Sequence, residues 1–323
     1  YHIKSTKNKY HFNKSKFIKI NQMNSNKNKQ KKQKLSCSVI IRTKDRPKLL
    51  ANALKSLEIQ IRKADEIIVI NDGGVCIDHI VGDFNDLPIT LINNETCQGR
   101  SIAGNVAVMK SKGDYISFLD DDDTFLPDHL QRLELAMLKF DAKVAYSGCR
   151  LCKKDILGEN DLPEQSTIIG EFNEPFDRER LLFENYIPLI TLMIDRSLFI
   201  ESGGFDKNFN LFEDWDLLIR LSEKVNFYHI EKITSEYVQW GSSQQITLAS
   251  SENKWINAYD LIFKKHFLPI KDKKKVEIMA KYWLVSQERR STIKSMHKQI
   301  ENIRQLDQQH VIDIEKFKAV YEA

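Results

Sequence analysis

Gly113-Asp114-Tyr115-Ile116-Ser117-Phe118-Leu119-Asp120-Asp121-Asp122-Asp123 is the stretch on which the fold turns. Tyr115 to Leu119 is a short, largely apolar, aromatic-rich run, the pattern of a buried strand. It ends abruptly in four carboxylates. Adjacent carboxylates repel each other at a folded site, and a cation relieves that cost. Hard oxygen ligands suit Mg²⁺ or Mn²⁺, which commonly bridge to substrate phosphates. Residues i and i+2 at a strand end point to one side, so Asp120 and Asp122 are expected to share a site. A solvated acidic loop ahead of Pro127 explains the charge, but not its position directly against an apolar strand.

The same pattern extends outward. Residues 38–41 read as a buried strand ending at Arg42, and residues 47–61 as a helix. Residues 66–70 form a second strand, followed by the turn Asn71-Asp72-Gly73-Gly74. A strand at 89–92, helices at 99–111 and 127–140, and a strand at 144–147 complete the first half. This βαβα alternation predicts an α/β fold: a mostly parallel sheet with helices on both faces. Such sheets bind ligands at the carboxyl ends of their strands, where Arg42, Asp72 and the four aspartates sit. The second half is less regular. It reads as a strand at 188–194, Gly203-Gly204-Phe205-Asp206, a helix at 213–221, and strands at 225–230 and 237–240. From about Glu252 the chain is helical and charged. Ile293, Met296, Ile300, Ile303 and Leu306 form a short seam that suits packing on the body or a homodimer through C-terminal helices.

The net charge of +4 divides unevenly. Residues 1–34 hold eleven Lys and no Asp or Glu, so the remaining 289 residues carry 4 − 11 = −7. The Lys-, Asn- and Gln-rich arm predicts a basic, disordered segment suited to peripheral contact with an anionic surface. It lacks the continuous apolar stretch of a signal peptide, and no run elsewhere approaches the roughly 18–20 residues of a membrane span. Five scattered cysteines, Cys37, Cys76, Cys97, Cys149 and Cys152, favour reduced thiols and a cytoplasmic setting, with the basic arm allowing a peripheral place at the cytosolic membrane face. The expected organisation is a basic arm at 1–34, a catalytic domain at 35–250 and a helical C-terminal extension at 251–323.

Four blocks of this chain resemble family 2 glycosyltransferases of the GT-A fold. They are Ser38-Val39-Ile40-Ile41-Arg42-Thr43-Lys44-Asp45-Arg46-Pro47; Ile68-Val69-Ile70-Asn71-Asp72-Gly73-Gly74; the 113–123 stretch with Pro127-Asp128; and Gly203-Gly204-Phe205-Asp206 followed by Glu213-Asp214-Trp215-Asp216-Leu217. Their order and spacing agree over residues 36–240.

The resemblance implies an inverting, non-processive, metal-dependent hexosyl- or N-acetylhexosaminyl-transferase. It would use a nucleotide sugar, UDP-sugar by default, and a glycan, lipid-linked or protein acceptor. Asp72 would bind the base, and Asp120 the ribose or metal, with Asp121 as the alternative ribose partner. Asp122, with Asp120, would hold Mn²⁺ or Mg²⁺. Asp214 would be the general base and Glu213 the runner-up. Arg42 and Arg100 would reach the nucleotide or diphosphate. The family commonly has an Arg before the Asn matched by Asn105; here that position is Gly104, so either Arg100 is the substitute or the site is arranged differently. Trp215 and Trp240 are weaker candidates for stacking on an acceptor sugar, and His229 for completing the metal site. A GT-A-like module that binds a nucleotide or partner without transfer is the alternative reading. Gln287-Glu288-Arg289-Arg290-Ser291 lacks the Trp of the processive-synthase signature.

Overall fold

The computed structural model describes residues 35–154, 166–182, 184–240 and 252–266. The basic arm at 1–34, the 293–306 seam and the 287–291 segment lie outside them.

A nine-stranded sheet organises the chain. Its strands are β1 (Cys37–Thr43), β2 (Glu66–Asp72), β3 (Ile89–Asn94), β4 (Tyr115–Phe118), β5 (Thr124–Phe125), β6 (Val144–Lys154), β7 (Thr167–Phe172), β8 (Leu192–Asp195) and β9 (Tyr228–Trp240). The order is β3-β2-β1-β4-β8-β6-β9-β5, with β7 pairing off β6. The pairs β2–β3, β1–β2, β1–β4 and β6–β9 are parallel, whereas β8 is antiparallel to both β4 and β6. Only β8, β5 and β7 therefore run against the common direction, and the sheet is mostly parallel as expected.

The helices are α1 (Pro47–Glu58), α2 (Asp78–Gly82), α3 (Arg100–Lys110), α4 (His129–Phe140), α5 (Arg178–Leu181), α6 (Arg196–Glu201), α7 (Glu213–Lys224) and α8 (Glu252–His266). Alternation along the strands divides the core into two layers. Ile40, Ile68, Ile70, Ile116 and Phe118 pack with Ala103, Ala107 and Val108 of α3 and with Trp215, Leu218 and Ile219 of α7. Val39, Ile41, Ile67 and Val69 pack with Leu50, Leu54 and Leu57 of α1 and with Leu130 and Leu133 of α4. Helices thus cover both faces.

Chain order along the sheet reverses between β1 and β4. Connections from β1 lead outward to β2 and β3, then return to β4 on the other side. The crevice at the carboxyl ends of β1 and β4 is the switch point where such sheets place ligands.

Some elements differ from the sequence reading. The 188–194 strand begins as a short 3₁₀ turn, Leu189–Thr191, before β8. The two strands read at 225–230 and 237–240 are one strand, β9, held along nearly all of β6. The short helix α2 and the strands β5 and β7 carry too few residues to leave a periodic signal.

Helix α8 closes the first core layer with Ile262, and its end is tied to α7. His266 Nε2 and Lys265 Nζ each lie 2.7 Å from Asp216 Oδ1, and Arg220 Nη2 lies 2.6 Å from Asp216 Oδ2. All five cysteines are free thiols; Cys37, Cys149 and Cys152 are buried, which fits structural roles. Among the described residues no helix is long and apolar enough to cross a membrane.

Candidate active site

Strand β1 delivers Arg42 into the switch-point crevice, but not with an open guanidinium. Its Nη2 donates to Asp120 Oδ1 at 2.8 Å, and its Nη1 donates to Glu213 Oε1 at 3.1 Å. The side chain passes beside the Phe118 and Phe205 rings, 6.0 and 5.4 Å from their centroids, and is only 7% exposed. Arg42 is a buried strut joining the carboxyl end of β4 to the first turn of α7.

The four aspartates do not alternate as a strand would. Strand β4 stops at Phe118, and the Asp123 amide donates to the Asp120 carbonyl at 3.1 Å in a tight turn. Each carboxylate then takes its own partner. Asp120 meets Arg42. Asp121 accepts from Thr43 Oγ1 at 2.6 Å and pairs with Arg46, while Arg46 Nη1 also donates to Asp122 Oδ2 at 2.9 Å. Asp123 turns inward and accepts from the Val238 amide at 2.8 Å. Asp121 is 0% exposed, and burial pushes its carboxyl up to about 7 despite Arg46. The expected ribose contact of Asp121 is therefore corrected: it pins the loop from inside. Asp120 and Asp122 keep partly exposed carboxylates, each with one oxygen engaged by an arginine.

Asp72 ends β2 as expected, but its carboxylate is saturated. Asn94 Nδ2 and the Gln98 amide donate to Oδ1 at 2.8 and 2.9 Å; the Gly99 amide and Cys97 Sγ donate to Oδ2 at 2.8 and 3.3 Å. Burial works to raise its pKa, yet these donors hold it below the usual carboxylate value. Four donors fill its acceptor capacity in this geometry, and through them Asp72 shapes residues 97–99. Gly73 makes the turn possible. Its φ is +70°, and a Cβ there would lie 2.4 Å from the Cys97 amide nitrogen.

Arg100 opens α3 and is partly exposed, with Nε 3.4 Å from Glu213 Oε1. It lies one turn before Gly104 on the same face of the helix. A side chain at 104 is blocked, because its Cβ would meet the Phe205 ring at 2.8 Å. Arg100 thus brings a cation to the same helix face as Gly104, and the Glu213 charge holds that guanidinium firmly protonated.

Helix α7 brings the acidic block to the same crevice. Glu213 is 1% exposed and fixed by Arg42 and Arg100. Asp214 is better placed. Its Oδ1 accepts from the Trp215 amide at 2.8 Å, and its Oδ2 accepts from Asn185 Nδ2 at 3.2 Å. Burial pushes its carboxyl up to about 6, the Glu213 charge adds to the rise, and the two donors and Arg100 pull it back. A base of that pKa is half-ionised near pH 6 and can both take and release a proton near neutrality.

Trp215 is 2% exposed, donates its indole N–H to the Leu181 carbonyl at 2.6 Å, and packs edge-on against Phe212 and Tyr259. It belongs to the core and offers no face to a sugar, which corrects the acceptor reading. The side chain of Trp240 lies outside the described residues. His229 stacks on Tyr146 and meets Asn173 Oδ1 at 3.0 Å, a structural setting and not a metal ligand's.

Two residues of this site escape a sequence reading. Arg46 is the common partner of Asp121 and Asp122; its signal was a cation four positions after Arg42, just ahead of the helix-starting Pro47. Asn185 carried no pattern at all. As for a metal, no three His, Cys, Asp or Glu side chains among the described residues cluster to hold an ion unaided. Asp120 and Asp122 nevertheless supply partly exposed hard oxygens, which fits a cation that completes its coordination with substrate oxygens and water.

Comparisons with known proteins agree with this geometry. The model of the family described as Glycosyl transferase family 2 matches residues 38–198. An uncharacterized glycosyltransferase of Bacillus subtilis, YwdF, is 26% identical over 72% of this chain and 85% of its own length. An uncharacterized glycosyltransferase of Haemophilus influenzae is 29% identical over 59% of this chain and 63% of its own. Residues 1–349 of S. aureus TarS, solved in complex with UDP-GlcNAc, superpose with a TM-score of 0.59 at 17% identity, covering 77% of this chain and 72% of that one. That likeness concerns the fold. The chain is a glycosyltransferase of family 2.

Proposed function

We propose that this chain transfers a sugar from a UDP-sugar to a hydroxyl acceptor with inversion at the anomeric carbon. The observation that carries the reading is the Asp120–Arg42–Glu213 bridge. It ties the carboxylates at the end of β4 to the first turn of α7, so Asp214 stands beside the donor-side groups as part of one rigid assembly. The donor in the TarS complex, UDP-GlcNAc, supports a UDP-sugar here.

In this reading Asp214 takes the proton of the acceptor hydroxyl as that oxygen attacks the anomeric carbon. The bond from that carbon to the diphosphate oxygen breaks, and a single displacement inverts the configuration. Arg100, partly exposed beside the base, faces the negative charge that gathers on the departing diphosphate. Asp122 and Asp120 would hold Mn²⁺ or Mg²⁺, which supplies Lewis-acid relief of the same charge. Arg42 and Arg46 keep those carboxylates in place, and Asp72 holds the 97–99 loop that flanks the nucleotide.

A thermal-shift screen of UDP, UDP-GlcNAc and other nucleotide sugars, with and without Mn²⁺, tests the donor; a bound donor raises the melting temperature by mass action. Donor turnover in the parent and in Asp214→Asn tests the chemistry. Nucleotide binding without turnover across donors and acceptors favours the non-catalytic module instead.

A further inference from the structure

Asn185 lies between α5 and the 3₁₀ turn, in a segment built tightly against α7. Trp215 of α7 donates to the Leu181 carbonyl, the neighbouring Tyr186 is buried, and the Asp177 amide donates to the Tyr186 hydroxyl at 2.7 Å. From this platform the Asn185 amide nitrogen donates to Asp214 Oδ2 at 3.2 Å. The other end of the amide is different: Oδ1 is buried with no hydrogen-bond partner among the described residues. An amide serving only the scaffold has both ends satisfied, because a buried unpaired acceptor costs about 1–3 kcal/mol. Here one end goes to the carboxylate and the other to nothing among the described residues.

We infer that Asn185 is the positioning residue of the base. With the Trp215 amide on Oδ1 and Asn185 on Oδ2, both oxygens of Asp214 are fixed, and the carboxylate cannot swing away from the crevice. Asn185 also favours the ionised form that can accept a proton. The charged groups that face Asp214 are Glu213 on its own helix and Arg100 from α3, with Arg42 of β1 acting through Glu213. From α8, the aromatic ring of Tyr259 packs on the adjacent Trp215, and Asp216 is turned away to Arg220, Lys265 and His266. Among the described residues no other charged side chain competes for the place of Asn185. The inference rests on the reading of Asp214 as base.

The test is a titration of the intact chain carrying ¹³C-carboxyl aspartate, followed by NMR. The Asp214 resonance is assigned by its loss in Asp214→Asn. In the parent its midpoint lies near 6. In Asn185→Leu it rises by about one pH unit, the scale of one hydrogen bond to a charged group. In Asn185→Asp, nearly isosteric and suited to the case in which the Leu variant fails to fold, it rises further, because two adjacent carboxylates resist joint ionisation. The acid limb of UDP-GlcNAc hydrolysis follows the midpoint, so kcat at pH 6 falls roughly fivefold for a one-unit shift while KM for the donor stays constant. A midpoint unmoved in a folded variant overturns the inference whether or not UDP-GlcNAc is the donor. Undiminished turnover in Asp214→Asn overturns the base reading instead, and the titration still decides whether Asn185 holds this carboxylate.

Discussion

Replacing Arg42 with Met removes the strut between the two halves of the site while keeping an unbranched apolar stem against Phe118 and Phe205. The Arg42–Glu213 pair is buried on both sides, with side-chain exposures of 7% and 2% and a separation of 3.1 Å. At an effective dielectric of about 20, that separation gives a gross attraction of roughly 5 kcal/mol. Breaking one partner of such a pair costs about 3–5 kcal/mol, because the surviving charge stays buried. Arg100 remains 3.4 Å from Glu213 and places the expected cost near the lower end, about 3 kcal/mol. For a domain of this size that is a fall of roughly 6–12 °C in melting temperature. Differential scanning calorimetry at pH 8 measures it. Adding Glu213→Gln removes the stranded charge and should recover more than half of the loss, since the penalty lies in the unpaired carboxylate. A fall below about 2 °C for Arg42→Met, or a double variant less stable than the single one, refutes the strut and with it the rigid link between Asp120 and Asp214.

Asp214→Asn should abolish transfer, measured as sugar release or product formation, while raising stability at pH 8. The sign follows from the raised folded pKa. The folded state holds its proton to about 6 while the unfolded chain gives it up near 3.8, so the wild type loses stability as pH rises through that window. The variant escapes that loss, with an upper bound of about 3 kcal/mol, and its advantage should vanish below pH 4. Turnover with wild-type Asp214 should rise along an acid limb centred near pH 6; a pH-independent rate between 5 and 8 contradicts the base assignment. Asp122→Ala should remove the Mn²⁺-dependent part of UDP affinity in titration calorimetry, and an unchanged metal effect would move the cation elsewhere. Gly73→Ala should cost about 2 kcal/mol or more in urea unfolding and weaken UDP binding, because the new Cβ meets the Cys97 backbone and displaces the loop that Asp72 holds.

The strands and the donor edge were legible because their chemistry is local. An apolar run that stops at a polar residue declares both a buried strand and the ligand-facing end of it, as at Arg42, Asp72 and Asp120. What was not legible is which carboxylates face outward. The reading of Asp120 and Asp122 as a pair assumed that pleating continued past Phe118, but the chain turns there, and Arg46, 74 or more positions away in sequence, sorts Asp121 and Asp122. Trp215 misled for a related reason: its position beside the acidic pair suggested a sugar platform, whereas its spacing with Leu218 and Ser222 is that of a buried helical face. The β9 strand was split in the reading because Glu231, Lys232, Thr234, Ser235 and Glu236 look like a loop. They stay within one strand because β6 pairs with β9 at Ile230, Ile233, Ser235 and Glu236, the ladder skipping Glu231, Lys232 and Thr234 at two register shifts.

The tie between α7 and α8 has a consequence in time. Asp216 is fully buried, and its partners Lys265 and His266 arrive about fifty residues later in the chain. During synthesis from the N-terminus, the sheet and its donor edge can assemble while the acid-bearing helix still lacks part of its counter-charge. The tie between the end of α8 and α7 is therefore among the last contacts of the described residues that a chain growing from its N-terminus can make.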